Sequence, residues 1–166
     1  MWSIYVMTFL VFINGSMNSG KTTTAMNLAT KLGTSFIDLD DIRAEYDDLN
    51  LNDAIPLVLS KAAQRINEEV VNNRSVIACY VLSEKNYDSF ISMLGDYPKF
   101  FYTLNPELNS ITQQRGERHI SNDEIERIKY HYAIGINKPS FGKNIDNTHL
   151  SIDEVGQIIV DDIQDV

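Results

Sequence analysis

The residues Gly15-Ser16-Met17-Asn18-Ser19-Gly20-Lys21-Thr22 follow the pattern G-x-x-x-x-G-K-[ST]. Each fixed position has a chemical use. Gly15 and Gly20 let the main chain turn so that successive N–H groups point inward at phosphate oxygens. A helix starting near Lys21 would present its positive end to the same anion. The Lys21 ammonium would reach the β- and γ-phosphates, and the Thr22 hydroxyl is placed to ligate Mg²⁺. The predicted chemistry is the gripping of a polyphosphate tail.

A second group of candidates follows at Asp38-Leu39-Asp40-Asp41-Ile42-Arg43. In extended chain Asp38 and Asp40 share a face. Beside a metal–phosphate site, one carboxylate can hold a metal-bound water and another can accept the proton of an attacking hydroxyl. Arg43 is positioned to clamp an anionic group on the acceptor, while Asp41 reads as a helix cap and Asp47-Asp48 as solvated acids. A third group is Gln113-Gln114-Arg115-Gly116-Glu117-Arg118-His119. Arg115 and Arg118, three apart, can converge on a polyphosphate from one side of a turn. The competing reading pairs them with Glu117 and Glu124 as ordinary surface charge.

These residues need a scaffold. Thr8–Ile13 is a continuous apolar run ahead of Asn14-Gly15, the pattern of a strand buried on both faces. Lys21–Leu32 places Ala25, Leu28, Ala29 and Leu32 on one helical stripe, closed by Gly33. Strands are expected at Ser35–Leu39, Ser75–Leu82, Phe100–Leu104 and Phe141–Asn147. Helices are expected at Asp53–Val71, from Ser83 to Gly95, and from Asn105-Pro106 with proline in the first position. Ser121-x-x-Glu124 and Ser151-x-x-Glu154 are capping boxes that start two more. Strands alternating with helices predict an α/β fold, a parallel sheet with helices on both faces. Ligands in such folds sit at the carboxyl ends of the strands. That rim holds Asn14–Lys21, Asp38–Asp41, Ser83 and Asn105.

Composition narrows the field. The 166 residues suit a single domain with its own core, and 43% apolar with 22% charged residues excludes disordered and fibrous classes. Fourteen Lys and Arg against 23 Asp and Glu leave a net charge of −9, which argues against bulk binding of nucleic acid or anionic membrane. Cys79 stands alone, and His119, His131 and His149 have no metal-site spacing with it, so the chain reads as reduced and cytoplasmic. The apolar stretch Met1–Ile13 lacks a positive leading segment, is too short to span a bilayer and runs into the phosphate motif, so it is not read as a signal; Met7 is an alternative start, since Met1–Val6 add nothing the fold needs. Nothing in the sequence indicates an oligomeric state.

Taken together, the sequence resembles the small P-loop kinases, the branch holding shikimate kinase, gluconate kinase and chloramphenicol phosphotransferase. The likeness rests on Gly15–Thr22, on Asp38-x-Asp40 after the second strand and on Arg115-x-x-Arg118 as an arginine-bearing lid (about residues 114–121), and it extends over about residues 8–160. It implies a three-layer fold whose five-stranded parallel sheet has the order 2-3-1-4-5. It also implies transfer of the ATP γ-phosphate to a hydroxyl of a small molecule. By this likeness Lys21, Asp40, Arg115 and Arg118 are catalytic, with Asp40 the general base; Thr22 and Asp38 hold Mg²⁺. Asp38 and Arg43 face the acceptor; Ser16, Met17, Asn18, Ser19 and Thr23 join the nucleotide contacts, and Asp146-Asn147-Thr148 lies near the adenine.

There are departures from the pattern. Val76-Ile77-Ala78-Cys79-Tyr80 ends without the usual acid of a third strand, which admits an ATP-binding pseudo-kinase, and the glycine run of shikimate kinases is absent there. Asp40-Asp41-Ile42-Arg43 is also similar to the D-D-x-R of phage-type polynucleotide kinases, where Arg43 would hold a nucleic-acid phosphate. Asn137-Lys138-Pro139-Ser140 falls short of the guanine motif of a GTPase switch, lacking its final Asp.

Overall fold

The structure is a computed structural model that describes residues 7–114 and 118–166. Five strands form one parallel sheet: β1 (Leu10–Gly15), β2 (Ser35–Asp38), β3 (Val76–Tyr80), β4 (Lys99–Leu104) and β5 (Lys143–Ile145). Their order is β2-β3-β1-β4-β5, as the family likeness implies. The helices are α1 (Lys21–Leu32), α2 (Leu39–Ala44), α3 (Leu51–Val71), α4 (Glu84–Met93), α5 (Leu108–Ile111), α6 (Asn122–Ala133) and α7 (Ile152–Gln164).

The central strand explains the layering. Side chains alternate across a strand, and every residue of β1 is buried. Leu10 and Phe12 enter one core with Val58, Leu59 and Ile66 of α3 and Phe90 of α4. Val11 and Ile13 enter the other with Ala25 and Leu28 of α1 and Val155 and Ile159 of α7. The apolar run therefore feeds two cores at once, and the loop after it emerges at the carboxyl edge of the sheet.

Several boundaries differ from expectation for identifiable reasons. β1 runs on to Gly15 because its ladder with β4 extends to the pair Gly15–Leu104. β2 stops at Asp38, whose carboxylate accepts from the Asp40 amide and caps α2. Asp38 and Asp40 are thus brought together by a helix cap and not by a shared strand face. No helix begins at Asn105-Pro106. The Asn105 amide bonds the Ile145 carbonyl and the Glu107 amide bonds Thr148 Oγ1, so only the single turn of α5 follows. β5 is shorter than Phe141–Asn147. Phe141 instead stacks on Tyr87 at 4.1 Å, and Gly142 turns the chain at φ +67°. Both capping boxes, at Ser121 and Ser151, are formed.

Candidate active site

The link between β1 and α1 is shaped by residues that need unusual backbone. Asn18 and Gly20 take left-handed φ values of 62° and 92°. A Cβ on Gly15 would come within 2.5 Å of Ser19 Oγ, so the return of the loop requires glycine there. Lys21 opens α1, is 7% exposed, and its Nζ lies 3.4 Å from the Ser16 carbonyl. Asn147 holds the loop from behind, donating from Nδ2 to the Ser19 carbonyl at 2.9 Å. Ser19 Oγ and Asn147 Oδ1 are buried and have no hydrogen-bond partner among the described residues. Unpaired buried polar groups are costly, and here they sit in a loop whose glycines and lysine suit a polar ligand. Asn147 therefore braces the phosphate loop, with its amide nitrogen already engaged.

Thr22 Oγ1 donates to Asp38 Oδ2 at 3.4 Å, and Cys79 Sγ lies 3.8 Å from the same hydroxyl. Asp38 pairs in register with Cys79 across β2 and β3. An acid is thus present beside Thr22 although β3 has none, supplied by the neighbouring strand. The set fits a divalent ion that is completed by phosphate oxygens and water, because Mg²⁺ typically takes one or two carboxylates from the protein. Among the described residues no group of three or more His, Cys, Asp and Glu could hold a metal unaided. Burial pushes the Cys79 thiol up to about 12, so it is a protonated neighbour and not a thiolate ligand.

Asp40 follows the cap and lines the same cleft as Lys21 and Thr22, a space of about 1510 Å³. Part of Asp40 reaches solvent, yet desolvation raises its pKa above the ordinary carboxylate value. Asp38 and Asp41 push the same way, and Lys21 opposes them. Desolvation likewise lowers Lys21, against the attraction of Asp40 and Asp38. A carboxyl with raised proton affinity beside a buried lysine is chemically able to exchange a proton with a hydroxyl in the cleft.

The remaining candidates separate. The Arg43 guanidinium donates to the Tyr46 carbonyl (2.6 Å) and the Leu49 carbonyl (3.1 Å), with Asp47 at 3.5 Å. Its donors close the loop after α2, although the side chain also borders the cleft. Arg118 borders the cleft and pairs with Glu124, the capping-box acid of α6, at 2.6 Å. Met17 and Thr23 also line the cleft. Arg115 lies outside the described residues. Among the cleft residues given no site role in the sequence reading are Arg127 and His131, one helical turn apart on α6. They stand at i, i+4 on a helix whose buried member is Ile128. His131 Nδ1 lies 3.0 Å from Ser16 Oγ.

No protein-family profile matches the chain, and no curated protein sequence matches it. Solved structures do. The fold is similar to that of a sugar kinase from Janibacter sp. HTCC2649, with TM-score 0.67, 19% identity and 95% of each chain covered. A gluconokinase from Sinorhizobium meliloti 1021 aligns with TM-score 0.68 and 13% identity over 95% of this chain and 96% of its own. Shikimate kinase from Aquifex aeolicus aligns with TM-score 0.59 and 14% identity over 93% and 96%. The strand order β2-β3-β1-β4-β5 with helices flanking the sheet matches the fold of these solved kinases. Among the described residues no helix is long and apolar enough to cross a membrane.

Proposed function

We propose that the protein is an ATP-dependent phosphotransferase acting on a hydroxyl group of a small molecule, with Mg²⁺ as its metal. The observation that carries this reading is the convergence of Lys21, Thr22, Asp38 and Asp40 at one end of the sheet, where the Thr22 hydroxyl meets the Asp38 carboxylate and Asp38 caps the turn bearing Asp40. The likeness to a sugar kinase, a gluconokinase and a shikimate kinase supports it. Full-length overlap with these kinases also favours one catalytic domain, and the buried, protonated Cys79 suits a cytoplasmic setting.

In this reading the amides of residues 15–21 and the Lys21 ammonium hold the β- and γ-phosphates. Bound through Thr22 and Asp38, Mg²⁺ would neutralise developing phosphate charge. Asp40 takes the proton of the acceptor hydroxyl as its oxygen bonds to the γ-phosphorus. The bond from that phosphorus to the bridging oxygen breaks, and ADP leaves with the electron pair. Arg118, released from Glu124, and Arg115 add positive charge over the transferred group. Such catalysis is positioning and charge stabilisation, with little covalent work for the protein.

The alternatives differ in what they ask of particular residues. A polynucleotide 5′-hydroxyl kinase would use Arg43 on a nucleic-acid phosphate, but its donors serve two backbone carbonyls and the net charge is −9. An ATP-binding pseudo-kinase was admitted because β3 lacks an acid, and Asp38 stands beside Thr22 in its place. The test is acceptor-dependent ADP release with Mg²⁺ across sugars, shikimate, amino-alcohol antibiotics, nucleosides and 5′-hydroxyl oligonucleotides. Release with a small hydroxyl compound supports the proposal. Release only with the oligonucleotide, or nucleotide binding without release on any acceptor, replaces it with one of the alternatives.

A further inference from the structure

β3, the strand without an acid, ends in Tyr80. Its place there is rigid. Tyr80 stands opposite Asn14 of β1 in the sheet register. Asn14 Oδ1 accepts from the Leu82 amide at 2.7 Å, and Asn14 Nδ2 donates to Thr103 Oγ1 of β4 at 3.1 Å. The turn after Tyr80 is thus fastened to the two neighbouring strands. The Tyr80 ring belongs to the core with Ile42 and Val58, and only 6% of the residue is exposed. Even so, Tyr80 borders the cleft that also holds Asp40. Among the described residues its hydroxyl has no hydrogen-bond partner. Burial raises the phenol above its ordinary value, with Asp40 pushing the same way and Arg43 opposing, so it stays a neutral donor. A buried donor without a partner is costly, and a ligand in the cleft can complete it.

The charges nearby narrow what that ligand can be. Asp40 and Arg43 are the ones that act on Tyr80. Both terminal nitrogens of Arg43 serve backbone carbonyls, and Asp47 stands 3.5 Å from one of them. Glu84 and the exposed Lys85 border the cleft at the start of α4 with opposite signs, and Glu84 accepts from the Ser140 amide at 2.8 Å. Arg118 and Arg127 act instead on Lys21 and His131, beside the phosphate loop. An anionic group near Tyr80 would therefore face Asp40 and Asp47, with the Arg43 guanidinium already occupied.

Resting on the phosphotransferase reading above, we propose that Tyr80 is a substrate-binding residue whose hydroxyl donates to an oxygen of the acceptor, and that this acceptor is an alcohol carrying no anionic group. Asp40 meets the reacting hydroxyl and Tyr80 meets a second oxygen of the same molecule. A site whose buried donor expects a partner discriminates against molecules that lack one. The spent Arg43 and the two nearby carboxylates disfavour hydroxy acids.

Acceptor-dependent ADP release with Mg²⁺, in the full chain and in Tyr80→Phe, tests both parts. The acceptors are neutral sugars, nucleosides and amino-alcohol antibiotics, with shikimate and gluconate as the anionic members. The highest kcat/KM is expected for a member without a carboxylate. Tyr80→Phe keeps the ring and removes only the donor. With that best acceptor it lowers kcat/KM about fivefold, as for a single neutral hydrogen bond, while the KM for Mg²⁺–ATP holds. Its denaturant midpoint is unchanged or higher, because the lost hydroxyl had no protein partner. A purely structural tyrosine gives the opposite pattern, a lower midpoint with no selective loss toward the acceptor, and that result overturns the role of Tyr80. So does an unchanged kcat/KM, or an equal loss toward acceptor and Mg²⁺–ATP. Shikimate or gluconate as the best acceptor overturns the substrate class and leaves the phosphotransferase reading standing. No release with any acceptor overturns that reading and this inference with it.

Discussion

The Thr22 hydroxyl donates to the Asp38 carboxylate across 3.4 Å, joining the first turn of α1 to the end of β2. Asp38 uses its other oxygen to cap α2 through the Asp40 amide at 2.9 Å. One carboxylate therefore sets the position of both the Thr22 hydroxyl and the first turn of α2, which bears Asp40.

Asp38→Asn keeps most of the cap but removes the charge. The expected result is a rise of about ten- to a hundredfold in the Mg²⁺ concentration needed for half-maximal activity, the usual range when a metal's carboxylate partners are altered. A Mg²⁺ titration of ADP release reads this directly, and an unchanged midpoint would remove Asp38 from the metal site.

Asp40→Asn is expected to lower turnover by about two orders of magnitude while nucleotide still binds. In the proposed role Asp40 works only when ionised, so the rate of the unmodified protein is expected to fall as pH drops through the Asp40 pKa, which desolvation places above 3.8. The Asn variant lacks that acid limb. Stability runs the other way. The folded state binds the Asp40 proton more tightly than the unfolded state, so stability declines as pH rises from 3.8 through the folded value. Asp40→Asn then yields a more stable, less active protein at neutral pH, visible in a denaturant titration beside the rate assay.

Arg43→Gln tests the placement of its guanidinium. Loss of the bonds to Tyr46 and Leu49 costs about 1.5–3 kcal/mol of stability, as for hydrogen bonds from charged donors. Unchanged stability with a raised acceptor KM is the contrary outcome, and would return Arg43 to the role of an acceptor clamp.

Gly142→Ala addresses the edge of the sheet. Gly142 has φ +67°, and an added Cβ would lie 2.4 Å from the Phe101 carbonyl oxygen of β4. Backbone strain and overpacking together predict a loss of about 2–4 kcal/mol, measured from the denaturant midpoint. A neutral substitution would contradict the close β4–β5 approach.

Much of this arrangement is legible in the chain itself. Lys21–Leu32 and its Gly33 stop carry their own periodicity and cap, and both Ser-x-x-Glu boxes mark where α6 and α7 begin. The turn between β1 and α1 is read from glycine spacing, because Gly15 and Gly20 each have a backbone reason. Local pattern fails where a distant partner decides. Asn105-Pro106 looks like a helix start until Ile145 takes the Asn105 amide from the next strand. Arg43 looks like a free cation until the loop after α2 folds back and offers two carbonyls. His131 is invisible beforehand because its partner, Ser16, is 115 residues away.

The account depends on a nucleoside triphosphate seated in the loop of residues 15–22 and held by Lys21. Calorimetric titration of Mg²⁺–ATP into the unmodified protein and into Lys21→Ala measures this most directly. Saturable binding by the first, weakened at least about tenfold in the second through loss of a charge-assisted contact, is the predicted result. No binding by the unmodified protein, or equal affinity in both, would contradict it.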